Sequence, residues 1–457
     1  MNHYLAKYVF YHTIQAVRRQ PVYRYIKKVE NAQYESLSSI NNARDRKIKR
    51  LVRYAYQNVH YYHSNWFDRG INISDIITKE DLAKLPVLSK EEILRNKKLL
   101  ISEENLGSLY TRKTGGSTGM TLHFKKEARA LAINDAIMWR CYQWYGIDIG
   151  DRQVRFWGVP VTRELRWKEQ LKDFVLNRIR ISAFDISRKT CLREYERIRR
   201  FKPAYFYGYT TAIYGFCLFM KEFGIDLNEL NLKAVICTAE KMYPHHRELF
   251  DEVFDCPVVD EYGCAEHGII AFQCKEGNMH IMHIMADHLI VEFLDENDQP
   301  VKPGEPGRIV ITDLDSYAMP LIRYDIGDIG RASTRTCSCG VTLPLMEIVE
   351  GRKEDFIRTT DGKLVHAAYL CYTLKDDTVH EFKMYQKAID KIHVQIVKSP
   401  LFNDQSEKML ENKLRTALSN DVQITFEYLE RIPRERSGKL RYFVSELEFG
   451  TGNAASN

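Results

Sequence analysis

Between about residue 150 and residue 262, short apolar runs alternate with stretches of helical length, and this alternation constrains the fold more than any other feature of the chain. Val154 to Gly158, Ala204 to Tyr207, Ala234 to Thr238 and Val258 to Tyr262 each have the length of a buried strand. Arg188 to Arg200 and Thr211 to Phe223 have the length of helices. Strand and helix in turn predict an α/β domain with a parallel sheet, in which ligands gather at the carboxyl ends of the strands.

The flanking regions read differently. Up to about residue 100 the pattern is helical, with polar and basic stretches interrupted by Tyr54, Tyr56, Tyr61, Tyr62 and Trp66. Residues 1–53 hold 12 Lys/Arg against three acidic residues, a net +9, so the remaining 404 residues sum to −3 and the overall +6 says little about any site. This leader is expected to be a solvated helical face packed on the first domain; a peripheral dock on anionic membrane, at its inner face, is the alternative. Nucleic acid ranks last as a partner, because no binding module accompanies the charge. After the turn-rich Pro303 to Gly307, Arg308 to Thr312 reads as a strand. In the last hundred residues, His380 to Gln386, Lys391 to Val397 and Val422 to Tyr428 alternate as strands, and Leu410, Leu414, Ala417 and Leu418 share one helix face. The domain boundary is placed near Gly351 to Asp355, giving domains 1–351 and 352–457. A composition 44% hydrophobic and 28% charged is that of a folded protein. No run of about 18 apolar residues and no leader of the secretory kind is present, so a cytoplasmic protein is expected.

Five segments carry candidate chemistry. Thr114-Gly115-Gly116-Ser117-Thr118-Gly119-Met120-Thr121 lies between two apparent strands, Leu109-Tyr110 and Leu122 to Phe124; its glycines and hydroxyls suit either a phosphate cradle or a plain hairpin turn. It lacks the Gly-Lys-Ser/Thr of a Walker loop. Asp260 to Gly268 follows a strand and offers Tyr262 before Gly263 for stacking on a base, with Glu266 as a Mg²⁺ ligand; an ordinary acidic surface loop is the plainer alternative. Pro320 to Asp328 places Asp328 just past a Gly turn, where a carboxylate suits ribose hydroxyls. Gly351-Arg352-Lys353-Glu354-Asp355 marks the boundary, and Pro433 to Lys439 ends in a lysine beside Gly438.

In this order and spacing the five segments resemble the adenylate-forming superfamily of acyl-CoA synthetases, and within it the phenylacetate-CoA ligase branch that includes CapK-type capsule-biosynthesis ligases. The resemblance spans nearly the whole chain, from the Tyr54 to Trp66 region through Lys439. It implies an α/β fold with a large N-terminal adenylate-forming domain and a small mobile C-terminal domain. It also implies a two-step reaction: a carboxylate attacks the α-phosphate of ATP, giving an acyl adenylate and pyrophosphate, and a nucleophile then displaces AMP. By the resemblance, Ser117, Thr118 and Gly119 cradle the β- and γ-phosphates, Tyr262 with Gly263 and Glu240 lies along adenine, and Glu266 holds Mg²⁺. Asp328 takes the ribose, Arg352 assists there, Lys439 neutralises charge at the α-phosphate, and Glu354 is the hinge. Tyr207 and Gly208 fall where the family builds its acyl pocket, which suits an aromatic or flat acid, or else form the end of a core strand. Ala265 and Ile326 stand where the family usually has Thr. The segment Asp361 to Ala368 replaces the usual Gly-x-Asn-Val-x-Pro, so the acceptor is CoA or, alternatively, an amine, as in capsular polysaccharide assembly. A nucleotide-binding scaffold without catalysis is a further alternative.

Ten cysteines in 457 residues are too sparse for a disulfide framework. Cys274, His280, Cys337 and Cys339 supply either four ligands for a closed tetrahedral Zn²⁺ site or reduced thiols. The branch carries a similar arrangement, and the resemblance therefore implies a structural zinc. Cys141, Cys191, Cys217, Cys237, Cys256 and Cys371 lie in apolar settings expected in the core. His245 and His246, at an expected helix start after Pro244, are expected to face solvent.

Overall fold

The computed structural model describes residues 1–113, 122–158, 163–183, 188–276, 281–350, 356–358, 360, 364–366, 378–419, 421–433 and 443–445. The chain divides into two compact units, Met1–Val349 and Glu350–Asn457.

In the first unit, β1 (Leu109–Lys113) and β2 (His123–Glu127) pair antiparallel, with Lys113 opposite His123 at the two ends of segment 114–121. Eleven further strands make one mixed sheet: β3 (Gln153–Trp157), β4 (Arg178–Ser182), β5 (Tyr205–Tyr209), β6 (Ala234–Thr238), β7 (Val258–Cys264), β8 (Gly268–Phe272), β9 (Ile281–Ile284), β10 (Leu289–Leu294), β11 (Gly307–Asp313), β12 (Tyr324–Ala332) and β13 (Leu345–Glu350). They lie in the order β10-β11-β12-β13-β9-β8-β7-β6-β5-β3-β4. The expected parallel sheet is therefore one half of a larger one: β4, β3, β5, β6 and β7 run parallel, and from β8 onward the observed pairings are antiparallel.

Alternation sorts the parallel strands between two cores. Val154, Phe156, Phe206, Val235, Cys237 and Val258 pack with helices Arg188–Phe201, Thr210–Glu222 and Pro244–Val253. Tyr205, Ala234, Ile236 and Val259 pack with helices Val22–Ala32 and Ala128–Gln143. Gly208 is required where β5 passes β3, because a Cβ there would lie 2.2 Å from the Phe156 carbonyl oxygen.

The basic leader forms helices. Ser36 caps helix Leu37–Asn58 by accepting from Ser39 N, and Ile40, Ile48, Leu51, Val52 and Ala55 make its buried stripe. Its charges are partly paired within the molecule: Lys47 Nζ lies 2.6 Å from Asp315 and Lys7 Nζ 2.5 Å from Asp148. Among the described residues no helix is long and apolar enough to cross a membrane. Tyr62 and Trp66, on helix His60–Asp68, are buried in a second core with Leu321, Ile322 and Tyr324. Tyr62 Oη donates to Pro320 O at 2.8 Å and accepts from Ile322 N at 3.1 Å, tying the helical region to the Pro320 to Asp328 segment. Truncating Trp66 to Ala removes a fully buried ring, a change that costs about 3–5 kcal/mol.

His246 does not face solvent. It is buried, its Nδ1 accepts from Tyr243 N at 3.2 Å, and its ring lies 4.7 Å from that of Tyr214. A histidine at the third helical position reaches back to a free backbone N–H, and the neighbouring aromatics enclose it. Cys141, Cys191, Cys217 and Cys237 are buried, Cys256 is half-buried, and Cys371 lies outside the described residues.

In the second unit, β14 (Phe356–Arg358) and β15 (Leu364–His366) pair antiparallel, and β16 (Val379–Ala388), β17 (Lys391–Lys398), β18 (Gln423–Tyr428) and β19 (Phe443–Ser445) form a sheet in the order β18-β17-β16-β19. Leu410 and Leu414 of helix Asp404–Ala417 pack on Phe382, Met384, Ile392, Val394 and Ile396. Asn403 caps that helix through Gln405 N and Ser406 N.

Candidate functional site

The second and third segments meet. β7 and β8 form a tight hairpin, in which a Cβ at Gly263 would lie 2.5 Å from Gly268 O, so that only glycine fits. Beyond the hairpin's first strand, Tyr262 Oη donates to Asp328 Oδ2 at 2.8 Å, joining residues 66 positions apart. Glu266, in the turn, is buried and accepts from Tyr324 Oη at 3.4 Å. His267 beside it is buried, and among the described residues neither ring nitrogen has a hydrogen-bond partner; Nδ1 lies 3.9 Å from Asp313 Oδ2, and burial pushes the imidazole below its ordinary pKa. Asp313 pairs at 2.7 Å with Lys126, both almost wholly buried. That pair fixes β2, which follows segment 114–121, against β11.

Ser117, Thr118, Gly119, Arg352, Glu354, Lys439 and His280 lie outside the described residues. Glu240 is described, and its carboxylate is engaged: Oε2 accepts from Thr211 N at 2.9 Å and Thr211 Oγ1 at 2.7 Å, capping helix Thr210–Glu222. Negative charge at a helix start is stabilising, and the cap holds the Thr238 to Glu240 turn at the carboxyl end of β6.

Tyr207 sits midway along β5 and donates to Glu261 Oε1 at 3.3 Å, while Tyr142, from helix Ala128–Gln143, donates to Oε2 at 3.1 Å. Thr238 is the register partner of Glu261 across β6 and β7. Glu261 is buried, and burial pushes its carboxyl above the usual range. The sequence offered one signal for it, its place one residue before Tyr262 on an alternating strand.

Cys274, Cys337 and Cys339 converge with His283, their ligand atoms all within 4.8 Å of one another. Cys274 Sγ lies 3.4 Å from Cys337 Sγ, and His283 Nε2 lies 3.3 Å from Cys339 Sγ. The other ring nitrogen, Nδ1, is 2.8 Å from Leu343 O, so donation to that carbonyl leaves Nε2 unprotonated and aimed at the thiols. Burial, then the neighbouring thiols, pushes the Cys274 thiol well above its ordinary value, so three thiolates share this space only with a cation among them. Three sulfurs and one imidazole nitrogen at this spacing fit tetrahedral Zn²⁺. His283 is the imidazole the described residues bring there, three positions after His280.

Comparison with known proteins agrees with this architecture. Residues 357–446 match the model of the CapK C-terminal domain. Protein CapK of Staphylococcus aureus is 23% identical over 91% of this chain and 92% of its own length. Phenylacetate-coenzyme A ligase of Thermus thermophilus is 23% identical over 73% of this chain and 74% of its own. Among solved structures, 2-hydroxyisobutyryl-CoA ligase in its postadenylation state superposes with a TM-score of 0.70 at 18% identity, covering 91% of each chain. The chain thus has the fold of the adenylate-forming ligases, and its sequence is similar to CapK and to the phenylacetate-CoA ligases over most of its length.

Proposed function

We propose that this protein is an ATP-dependent, AMP-forming carboxylate ligase that passes its acyl group to CoA. The observation that carries the reading is the Tyr262–Asp328 hydrogen bond, which sets an aromatic ring and a carboxylate side by side at the hairpin end. Adenine lies along Tyr262 and Gly263 with the Glu240 segment, and Asp328 accepts from the ribose hydroxyls, where Arg352 assists. Ser117, Thr118 and Gly119 cradle the β- and γ-phosphates. Glu266 would hold Mg²⁺, which would neutralise phosphate charge. Attack of the acid on the α-phosphate needs positioning and neutral surroundings more than covalent help, and Lys439 supplies positive charge there. Glu354 is the hinge for the second half-reaction. The acid lies toward Tyr207 and Gly208, and Cys274, His283, Cys337 and Cys339 hold a structural zinc.

Labelled pyrophosphate should exchange into ATP in the presence of the right carboxylate, and Lys439→Ala should slow this roughly 10²- to 10³-fold. Absence of exchange with every acid of an aryl and alkyl panel would sink the reading in favour of a scaffold. An amine acceptor is the second reading, favoured by the match of the C-terminal unit to the CapK domain. Supplying CoA or amines to the preformed adenylate and measuring AMP release decides between them.

A further inference from the structure

From their middles toward their carboxyl ends, the parallel strands bear a polar cluster on the side that is apolar beneath it. Alternation puts Arg155 and Trp157 of β3, Tyr207 of β5 and Glu261 of β7 on the face covered by helix Ala128–Gln143. Trp157 and Tyr207 stack at 5.8 Å with 19° between their planes. The Arg155 guanidinium carbon lies 4.5 Å from the Trp157 ring centre and 5.2 Å from that of Tyr207. Stacking on aromatic faces fixes the plane of the guanidinium and leaves its N–H edge available.

The neighbouring charges are already committed. On β4, Arg178 is bonded to Asp173, and Arg180 reaches Asp173 at 3.0 Å and Glu169 at 2.6 Å. Those two acids serve two of the three arginines. Among the described residues Arg155 makes no hydrogen bond or ion pair, and its Nε is buried without a partner. Glu261 is taken up by the hydroxyls of Tyr142 and Tyr207. A half-buried guanidinium on an aromatic stack, with no hydrogen-bonded acid among the described residues and only the longer-range attraction of Glu261, matches the geometry of a planar oxyanion from outside the chain.

We propose that Arg155 reads a second anionic group on the acid, so that the substrate class is a flat or extended carboxylic acid with another carboxylate remote from the reacting one. This rests on the carboxylate-ligase reading for where the acid lies. Trp157 and Tyr207 form the wall along the body of the acid, and the Arg155 fork holds its far end. Arg155 is a specificity residue that touches substrate, and the bond chemistry at the reacting carboxyl is unchanged by it.

Isothermal titration of the full-length protein with matched probes, benzoate against terephthalate and hexanoate against adipate, tests the assignment. In at least one pair the diacid should bind tenfold or more tighter than the monoacid. Arg155→Met should close that gap while leaving monoacid affinity within about twofold, and Arg155→Lys should restore part of it. A wild-type protein with no gap in either pair, including one that binds none of the four, overturns the proposal. So does a gap that survives Arg155→Met, or an equal loss for both members of a pair. Pyrophosphate exchange on the same panel separates the two readings: an Arg155-dependent gap without exchange leaves this assignment standing and removes carboxylate activation. Exchange confined to the monoacids overturns it.

Discussion

Two arginines fifteen residues apart, one on the helix that covers the sheet and one on the sheet, show how the two halves of the molecule differ. Arg140 is fully buried, and its terminal nitrogens bond Asp287 at 2.8 and 3.1 Å, Val29 O at 2.9 Å and Met285 Sδ at 2.9 Å. It joins helix Ala128–Gln143 to the turn between β9 and β10, in the antiparallel half. Arg155, midway along β3 in the parallel half, has aromatic faces and, among the described residues, no hydrogen-bonded or ion-paired acid. A buried cation that only holds a fold together must be paired, because an unpaired one is too costly to keep. The antiparallel half is accordingly closed, with its charges and thiols facing one another. In the parallel half the Arg155 guanidinium keeps its N–H edge without a hydrogen-bonded partner among the described residues.

The largest effect expected from breaking this contrast is at the thiol cluster. If it is a closed structural site, purified protein should contain about one zinc per chain. His283→Asn should lose the metal and destabilise the first unit, since on the order of 10 kcal/mol of binding free energy is linked to such sites. His280→Asn serves as the comparison, and elemental analysis of the two variants identifies the ligand. Metal retained in His283→Asn and lost in His280→Asn would exclude the arrangement described here. Next in size is Asp287→Ala, which strands the Arg140 charge and should cost about 3–5 kcal/mol in denaturant unfolding. The double variant Arg140→Met with Asp287→Ala should recover much of that loss, because the unpaired cation goes with its partner. A double variant as unstable as the single one would show that packing, not charge, is what Arg140 contributes.

The sequence made the strands of the parallel half legible because their inner faces are apolar on both sides, and runs such as Ala234 to Thr238 have no other economical reading. It revealed the three thiols for a similar reason: cysteines are rare, and the Cys337-x-Cys339 pair is conspicuous. Choosing the imidazole required register. His283 lies opposite Leu345 on β13 and Phe272 on β8, and no spacing rule distinguishes it from His280. Glu240 matched a motif, yet its carboxylate is used on a helix start 29 residues earlier in the chain, a contact made only by the packing of β6 beside β5. Arg155 carried no signal at all. An arginine in a strand reads as an exposed edge residue, and its lack of a partner depends on where Glu169 and Asp173 of the preceding helix direct their carboxylates.

The smallest of the expected effects sharpens the contrast from the opposite face of the same strand. Asp260 is buried on β7, directly before Glu261, and burial raises its carboxyl from the ordinary 3.8 to about 7, with Arg247 opposing the shift. Between these two values the folded chain holds a proton that the unfolded chain has released. The contribution of this group to stability is therefore fully present below about pH 4, declines as the pH rises, and is lost above about pH 7. Asparagine at 260 stays neutral throughout. Asp260→Asn should thus raise the melting temperature more at pH 8 than at pH 4.5, and the increment should grow through the interval between. A difference that does not depend on pH, or one that favours the wild type at pH 8, would mean that Arg247 holds Asp260 ionised. The parallel half would then hold an ion-paired charge at this position, as the antiparallel half does at Arg140.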